Sequence, residues 1–267
     1  MHGRQSTRSP EKEYQTIAVR RLAVDAPGMG HPATEGSFQS RIDEIELLDA
    51  GYGTPHDVAA NLAEMARLNH WLGGYRALTH YLYPRLAACA GPVTLLDLGT
   101  GSADLPVRLA AWAGRRGIDL HAWGLDRAPR HLSVAAARIR GCPGAAVLAA
   151  DAGRLPFAPA SADFVISSLF MHHFAPGELA AWLRDAAAVA RVSLIMSDLV
   201  RSRAAYVAFR LLPPLVAGNF LTRHDGAVSI RRAYRPAELQ AIARAAGLSQ
   251  ARVYVHWPWR MTLVVDK

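Results

Sequence analysis

The sequence is poor in cysteine, in lysine and in long apolar runs, and each shortage excludes a class of protein. Of its 267 residues only Cys89 and Cys142 are cysteine, too few for a disulfide framework or a four-cysteine zinc site. No apolar run reaches the ~18 residues that a membrane-spanning helix needs, and the polar N-terminus does not resemble a secretory signal. We therefore expect a globular protein of the reducing cytoplasm.

The basic charge rests almost wholly on arginine. The formal net charge is +8, yet among 30 basic residues only Lys12 and Lys267 are lysine. Abundant arginine and alanine together indicate GC-rich coding, so the charge is weak support for a polyanionic partner. One run is dense in arginine and holds a single acid, Asp225. Its arginines are Arg201, Arg203, Arg210, Arg223, Arg231, Arg232 and Arg235. We interpret most of them as solvated surface and do not expect nucleic-acid binding.

The N-terminal third lacks strand patterns. Residues 1–40 show no periodicity, which predicts a loose or disordered tail. From Arg41 to Tyr83 apolar residues recur at helical spacing, with Thr54 as N-cap before the first predicted helix. Gly73-Gly74 ends that helix and a second one follows. We therefore predict a helical cap over residues 41–90.

From residue 91 onward short apolar strands alternate with helices, which predicts a parallel sheet covered by helices on both faces. The last two strands, Ala251–Trp257 and Arg260–Val265, are separated by so few residues that they must pair antiparallel. Residues from about 199 to 235 form a helix-rich insertion. The fold class is therefore predicted as α/β, with a doubly wound sheet that ends in an antiparallel hairpin.

The strongest local signal is the stretch LLDLGTGSAD, Leu95–Asp104, in which a buried strand runs into a Gly-x-Gly turn that opens a helix. Glycines there let the backbone pass close to a ligand. The third glycine of the dinucleotide fingerprint is replaced by Asp104, and Asp97 ends the strand. Two carboxylates so near the turn disfavour a diphosphate and favour a positively charged ligand without phosphate.

Two further acids come after the next strands. Asp126 ends the second strand, where a carboxylate can accept both hydroxyls of a ribose. Asp151 follows the third strand, where it can accept from the amino group of an adenine. Since the carboxyl ends of parallel strands share one edge of the sheet, we expect these acids to line one crevice.

These motifs resemble those of class I S-adenosylmethionine-dependent methyltransferases, over residues 93–267. The resemblance implies a seven-stranded Rossmann-like sheet, bound S-adenosylmethionine, release of S-adenosylhomocysteine and no metal. It also implies a set of cofactor contacts: Asp97, Gly99, Thr100, Gly101, Ser102, Asp104, Asp126, Arg127, Asp151, Ala152, Ser168 and Leu169. Ala103 stands where many members of the superfamily have glycine.

The segment after the fourth strand bears on the identity of the acceptor. The Asn/Asp-Pro-Pro-aromatic tetrapeptide of base and glutamine N-methyltransferases is absent, and no cysteine nucleophile lies nearby. The sequence from Leu169 to Phe174, LFMHHF, resembles small-molecule methyltransferases that act on quinols and phenols. A finer resemblance is to bacterial enzymes of phenolic polyketide pathways. It covers Leu68-Asn69, Gly73-Gly74, Ser197–Ser202, Arg223–Gly226 and Ser229–Ala233 followed by Pro236.

The resemblance implies O-methylation of an aromatic hydroxyl on a small molecule. Two alternatives stay open: an RNA or protein methyltransferase that uses the arginine-rich surface, and a non-catalytic protein that binds the cofactor. A homodimer is also left open.

A phenol becomes a better nucleophile when a base removes its proton, and histidine is the natural base because its unperturbed pKa lies near neutrality. We predict His173 as that base and His224 as its rival. Asn69, Tyr75, Asp198 and Arg201 are predicted substrate contacts.

Overall fold

A seven-stranded sheet forms the centre of the fold in the computed structural model, which describes residues 38–212, 214 and 216–267. Its strands are β1 (Val93–Leu98), β2 (Leu120–Asp126), β3 (Ala145–Ala149), β4 (Ala162–Ser168), β5 (Ala190–Leu199), β6 (Arg252–His256) and β7 (Arg260–Asp266). They lie in the order β3-β2-β1-β4-β5-β7-β6. β1 to β5 are parallel, whereas β7 is antiparallel to both β5 and β6. The predicted sheet with its antiparallel terminal hairpin is confirmed.

Helices cover both faces of the sheet and precede it in the chain. They are α1 (Pro55–Trp71), α2 (Gly74–Ala87), α3 (Asp104–Gly114), α4 (Pro129–Ile139), α5 (Pro176–Val189), α6 (Arg203–Arg210), α7 (Phe220–Arg232) and α8 (Pro236–Ala245), with a short 3₁₀ turn at Met171–His173. The predicted start of α1 is confirmed: the hydroxyl of Thr54 accepts from the N–H of Asp57, whose carboxylate accepts from the N–H of Thr54. This reciprocal capping box satisfies two backbone donors at once.

The strands divide the core into two layers because successive side chains point to opposite faces. Leu96 and Val165 belong to a cluster that packs against α5 and α8. Leu95 and Phe164, their neighbours along the same strands, belong to a cluster that packs against α2 and α3. Burial on both faces explains why these strands read as continuous apolar runs.

The helical pattern predicted from Arg41 onward is wrong for residues 41–53, which form an extended stretch and a turn. The backbone N–H groups of Leu47 and Leu48 donate to the carboxylate of Asp225 in α7, at 2.8 and 3.0 Å. These bonds to a distant helix replace those that a local helix would have made. The predicted tail over residues 1–40 lies almost entirely outside the described residues.

Ser40–Lys267 forms one compact unit. None of the helices in its described part is long and apolar enough to cross a membrane.

Replacement of the buried Leu98 tests the packing that holds the glycine turn. Leu98 is the last residue of β1 and is fully buried. Leu98→Ala should lower the free energy of unfolding by ~2 to 5 kcal/mol, because the lost contacts leave a cavity. Val192→Ala, at an exposed position of β5, is the control and should cost much less. Urea denaturation measures both, and equal losses would contradict the assigned core.

Candidate active site

A cavity of about 610 Å³ opens at the carboxyl ends of β1, β2 and β4. One wall is α1, which contributes Leu62, Met65 and Asn69, and the segment 46–49 adds to the lining. Every residue predicted to contact the cofactor lines this cavity: Asp97, Gly99, Thr100, Gly101, Ser102, Asp104, Asp126, Arg127, Asp151, Ala152, Ser168 and Leu169. The topology brings these residues together because parallel strands end at the same edge of a sheet.

The backbone after β1 turns through the left-handed region. Gly99 has φ +72° and Gly101 φ +56°. A Cβ at Gly99 would lie 2.5 Å from the ring of Phe170, so this position has room only for glycine. Ala103, the N-cap of α3, also has φ +55°, which costs a residue with a Cβ free energy that glycine avoids. That strain explains why glycine is common at the matching position of the class I methyltransferases that the sequence resembles.

Asp97 is a buried carboxyl with two acidic neighbours. Burial and the charges of Asp104 and Asp126 raise its pKa to about 8, although the hydrogen bond from the Thr100 hydroxyl, at 2.7 Å, lowers it. Ionised Asp97 is therefore costly until a positive charge enters the cavity. Among the residues that line the cavity, carboxylates outnumber arginines by eight to two.

Asp126 is held in place by backbone donors. Its Oδ2 accepts from the N–H of Gly101 at 3.0 Å, and its Oδ1 accepts from the N–H of Ala128 at 2.8 Å. His131 Nδ1 lies 3.3 Å from Oδ2. The glycine turn and the end of β2 are thus tied to one carboxylate, which retains acceptor capacity at the cavity wall.

The residues that line this cavity suit a cationic nucleoside with no phosphate. The glycine turn lines the cavity, and the carboxylates Asp97, Asp104 and Asp126 favour a ligand of positive charge. S-adenosylmethionine has that charge at its sulfonium and amino groups. Of the residues present, Asp126 would accept from its ribose hydroxyls, and Asp97 and Asp104 would be its counter-ions.

Asn69 and Tyr75, predicted to contact substrate, both line the cavity. The Tyr75 hydroxyl donates to Asp104, and burial together with that carboxylate raises the pKa of the phenol. Asn69 donates from Nδ2 to the hydroxyl of Ser168 at 3.1 Å. Its buried Oδ1 packs against Gly74 and has no hydrogen-bond partner among the described residues.

The two adjacent histidines have different surroundings. His173 lines the cavity, and its Nδ1 lies 2.9 Å from Oδ2 of Asp49. His172 is only 2% exposed, and its Nδ1 and Nε2 lie 2.8 Å from Asp198 and 3.4 Å from Glu46. Although burial alone would lower the pKa of His172, the two carboxylates raise it to about 9.

Three predicted site residues lie elsewhere. Asp198 is buried against the imidazole and backbone N–H of His172. Arg201 is buried, donates from both terminal nitrogens to Glu238 and so serves the packing of α8. His224 contacts Asp225 and Glu44, and does not line the cavity. Their positions along the chain suggested a site, but their charges are satisfied by neighbouring side chains.

Sequence reasoning missed Glu46 and Asp49, which both line the cavity. Both precede α1 in the segment that was predicted as helix. Only a weak signal marked them, an acidic run that also holds Asp43 and Glu44.

Among the described residues, one group of three side chains has potential metal-ligand atoms within 4.8 Å of one another. These side chains are Glu46, His172 and His173. A protonated His172 between two carboxylates accounts for that closeness, so we assign no ion to it.

The pH dependence of stability tests the buried pair of His172 and Asp198. Because the folded-state pKa of His172 is raised to about 9, its contribution to the free energy of unfolding is complete below pH 6.5 and is lost as the pH rises to about 9. His172→Gln should therefore flatten the decline of stability over this window. The control is His121→Gln, since His121 is exposed beside Asp119. Thermal unfolding against pH measures both, and an unchanged slope in His172→Gln would contradict the ionised pair.

Comparison with known proteins agrees with this geometry. The sequence model of a family described as a methyltransferase domain matches residues 95–192. No curated protein matches the chain.

Solved structures resemble the whole fold. A SAM-dependent methyltransferase from Aquifex aeolicus superposes with a TM-score of 0.53 at 16% identity, covering 80% of this chain and 98% of that one. PigF, solved with SAH, gives a TM-score of 0.58 at 20% identity, covering 97% and 70%. A Nostoc punctiforme protein proposed to be an O-methyltransferase superposes with a TM-score of 0.54 at 18% identity, covering 97% of this chain and 70% of that one. At these identities the likeness shows the fold.

The matched segment contains the glycine turn and the strand-end acids Asp97, Asp126 and Asp151. Sequence model, fold and cavity agree: residues 95–192 match a methyltransferase domain, and the sheet around them has the fold of solved S-adenosylmethionine-dependent methyltransferases.

Proposed function

We propose that this methyltransferase transfers the methyl group to the hydroxyl of a small aromatic molecule, with His173 as the base. The hydrogen bond between Asp49 and His173 at the cavity wall carries the proposal. When Nδ1–H donates to Asp49, the imidazole is in the tautomer whose Nε2 has a free lone pair. A phenol with a pKa of ~10 is mostly protonated near neutral pH, so a base that removes its proton increases its nucleophilicity.

Asp49 acts here as a positioning residue. Although burial alone would raise its pKa, the hydrogen bond and the charge of His173 hold the pKa of this carboxyl below its usual value. The carboxylate therefore stays ionised and keeps the imidazole oriented. Arg232 supports the same turn, since its guanidinium donates to the backbone carbonyl of His173 at 2.9 Å.

Aromatic side chains beside His173 suit a planar acceptor. Phe170, Phe174 and Trp182 line the same cavity, with ring centroids of Phe170 and His173 5.6 Å apart. Phe174 stacks on Trp182 at 4.9 Å, which fixes both rings. Planar rings pack well in such a wall through offset or edge-to-face contacts.

The distribution of charge supports a small neutral acceptor over RNA. The cavity lining is rich in carboxylates, which would repel a phosphate backbone. Two arginines of the run that the RNA or protein alternative would use are buried inside the protein: Arg201 pairs with Glu238, and Arg232 donates to backbone carbonyls. A protein that only binds the cofactor would need neither the Asp49–His173 pair nor an aromatic wall.

When bound, S-adenosylmethionine supplies an electrophilic methyl group to an in-line displacement. The chain's own contribution is to hold that charge beside Asp97 and Asp104, to exclude water with α1, and to accept the acceptor's proton at His173 Nε2. Much of the rate comes from holding the two reactants in place.

Cofactor binding should release a proton. Asp97 is largely protonated at pH 7 because its pKa is about 8, and a bound cation lowers that pKa, so the carboxyl ionises. Calorimetry at pH 7 in buffers of different ionisation enthalpy measures the released proton. Asp97→Asn should abolish the buffer dependence of the binding enthalpy and weaken the affinity for the cofactor. The control is Asp163→Asn, which changes a partly buried carboxyl remote from the cavity and should keep the buffer dependence. Buffer-independent binding by the unaltered protein would contradict the role of Asp97.

The base is tested by kinetics with radiolabelled S-adenosylmethionine and a panel of alkylresorcinols and hydroquinones. His173→Ala should lower kcat by ~10² to 10⁴ with cofactor affinity nearly unchanged. Asp49→Asn should lower kcat too, and the double variant should be no worse than His173→Ala alone.

His224→Ala is the matched control, because it removes a carboxylate-paired histidine outside the cavity. Turnover of both histidine variants at the unaltered rate would exclude both His173 and His224 as the base. Failure of every phenol as acceptor, with intact cofactor binding, would exclude the proposed acceptor class.

A further inference from the structure

An exposed apolar and basic surface lies away from the cavity, on α6. Along the chain no acidic residue occurs between Asp198 and Asp225, and both of these acids are buried. The stretch between them contains exposed aliphatic and aromatic side chains together with exposed arginines. Neither the cofactor cavity nor the proposed chemistry uses this surface.

Helical spacing collects the apolar side chains of α6 on one face. Arg203, Val207 and Leu211 are four residues apart, so they follow one another along the helix surface. Val207 is 46% exposed and Leu211 76% exposed. Arg210 borders the same stripe and is exposed as well. Two exposed aliphatic side chains and two exposed arginines therefore lie along the same stretch of the helix.

The opposite face of α6 is fixed to the rest of the protein. A Cβ at Gly226 in α7 would lie 2.2 Å from the ring of Phe209, so the two helices approach at a position where only glycine fits. The hydroxyl of Ser202 caps the start of α6, and Ala205 is buried. The apolar face therefore points outward from a rigid support.

We propose that this surface, made of Arg203, Val207, Arg210 and Leu211, docks the protein on an anionic lipid bilayer. A helix that combines an apolar stripe with arginines lies in the interface of a membrane, with aliphatic side chains among the acyl chains and guanidinium groups at the headgroups. The sequence of α6 and of its C-terminal end contains arginines and no acidic residue, so its charge is complementary to a negatively charged bilayer. Nucleic acid fits less well, because Val207 and Leu211 can neither stack on bases nor bind phosphate.

The proposal is tested by co-sedimentation of the full chain with sucrose-loaded vesicles. Vesicles of phosphatidylcholine with phosphatidylglycerol should bind the protein ~10-fold more tightly than phosphatidylcholine alone, and added salt should weaken the binding. The double variant Val207→Glu/Leu211→Glu should lose ~10-fold or more of the partition coefficient. Circular dichroism and cofactor affinity should stay as in the unaltered protein, since neither residue is buried or lines the cavity.

Two matched controls separate local docking from general basicity. Val255→Glu changes another exposed aliphatic residue, in the edge strand β6, and Arg244→Glu changes net charge by the same amount as Arg210→Glu. Both controls should bind vesicles as the unaltered protein does, while Arg210→Glu should bind more weakly.

Several outcomes would overturn the proposal. They are the absence of binding to anionic vesicles, equal losses in Arg210→Glu and Arg244→Glu, and normal binding by Val207→Glu/Leu211→Glu. If Val207→Glu/Leu211→Glu also still bound an acidic polymer such as heparin, the surface would instead be a binding site for a polyanion.

Discussion

The imidazole of His172, buried between Asp198 and Glu46, joins three parts of the chain that are far apart in sequence. Asp198 lies near the end of β5, His172 belongs to the 3₁₀ turn after β4, and Glu46 comes from the segment before α1. A charge taken out of water is tolerated only when it is fully paired. Asp198 also accepts from the backbone N–H of His172 at 2.9 Å, so the turn is held by side chain and main chain together. That pairing therefore helps to fix both His173 and the segment 46–49 at the cavity.

Two arginines complete the support of the turn. Arg41 donates to the backbone carbonyl of His172 at 2.8 Å and to the hydroxyl of Tyr234 at 2.7 Å, and it contacts the carbonyl of Arg232. Arg232 donates in turn to the carbonyls of Glu44 and His173. Planar guanidinium groups with several donors suit this role better than lysine would. Part of the high arginine content therefore has a structural use that composition alone does not reveal.

The sheet and the glycine turn could be predicted from the sequence because their signals are local. Strand β1 is a short apolar run that ends in Gly-x-Gly, and Thr54 with Asp57 forms a capping box within four residues. Residues 41–53 could not be predicted, because apolar residues at helical spacing compete there with bonds to residues nearly two hundred positions away. Leu47 and Leu48 donate to Asp225, and Ser229 donates to Glu46. No pattern within the segment encodes those partners.

The same distinction explains which predicted site residues fall in the cavity. Cofactor contacts follow from the ends of neighbouring strands, so the topology of a parallel sheet suffices to place them. Asp198 also ends a strand, yet the adjacent turn presents His172 to it, and the pair becomes part of the interior. His173, one residue later, faces the cavity because the 3₁₀ turn rotates successive side chains by about a third of a turn. Which member of a histidine pair is available for chemistry thus depends on which carboxylate each one meets. Asp198 and Glu46 enclose His172, whereas Asp49 is the one carboxylate paired with His173 among the described residues, which leaves its other ring nitrogen for chemistry.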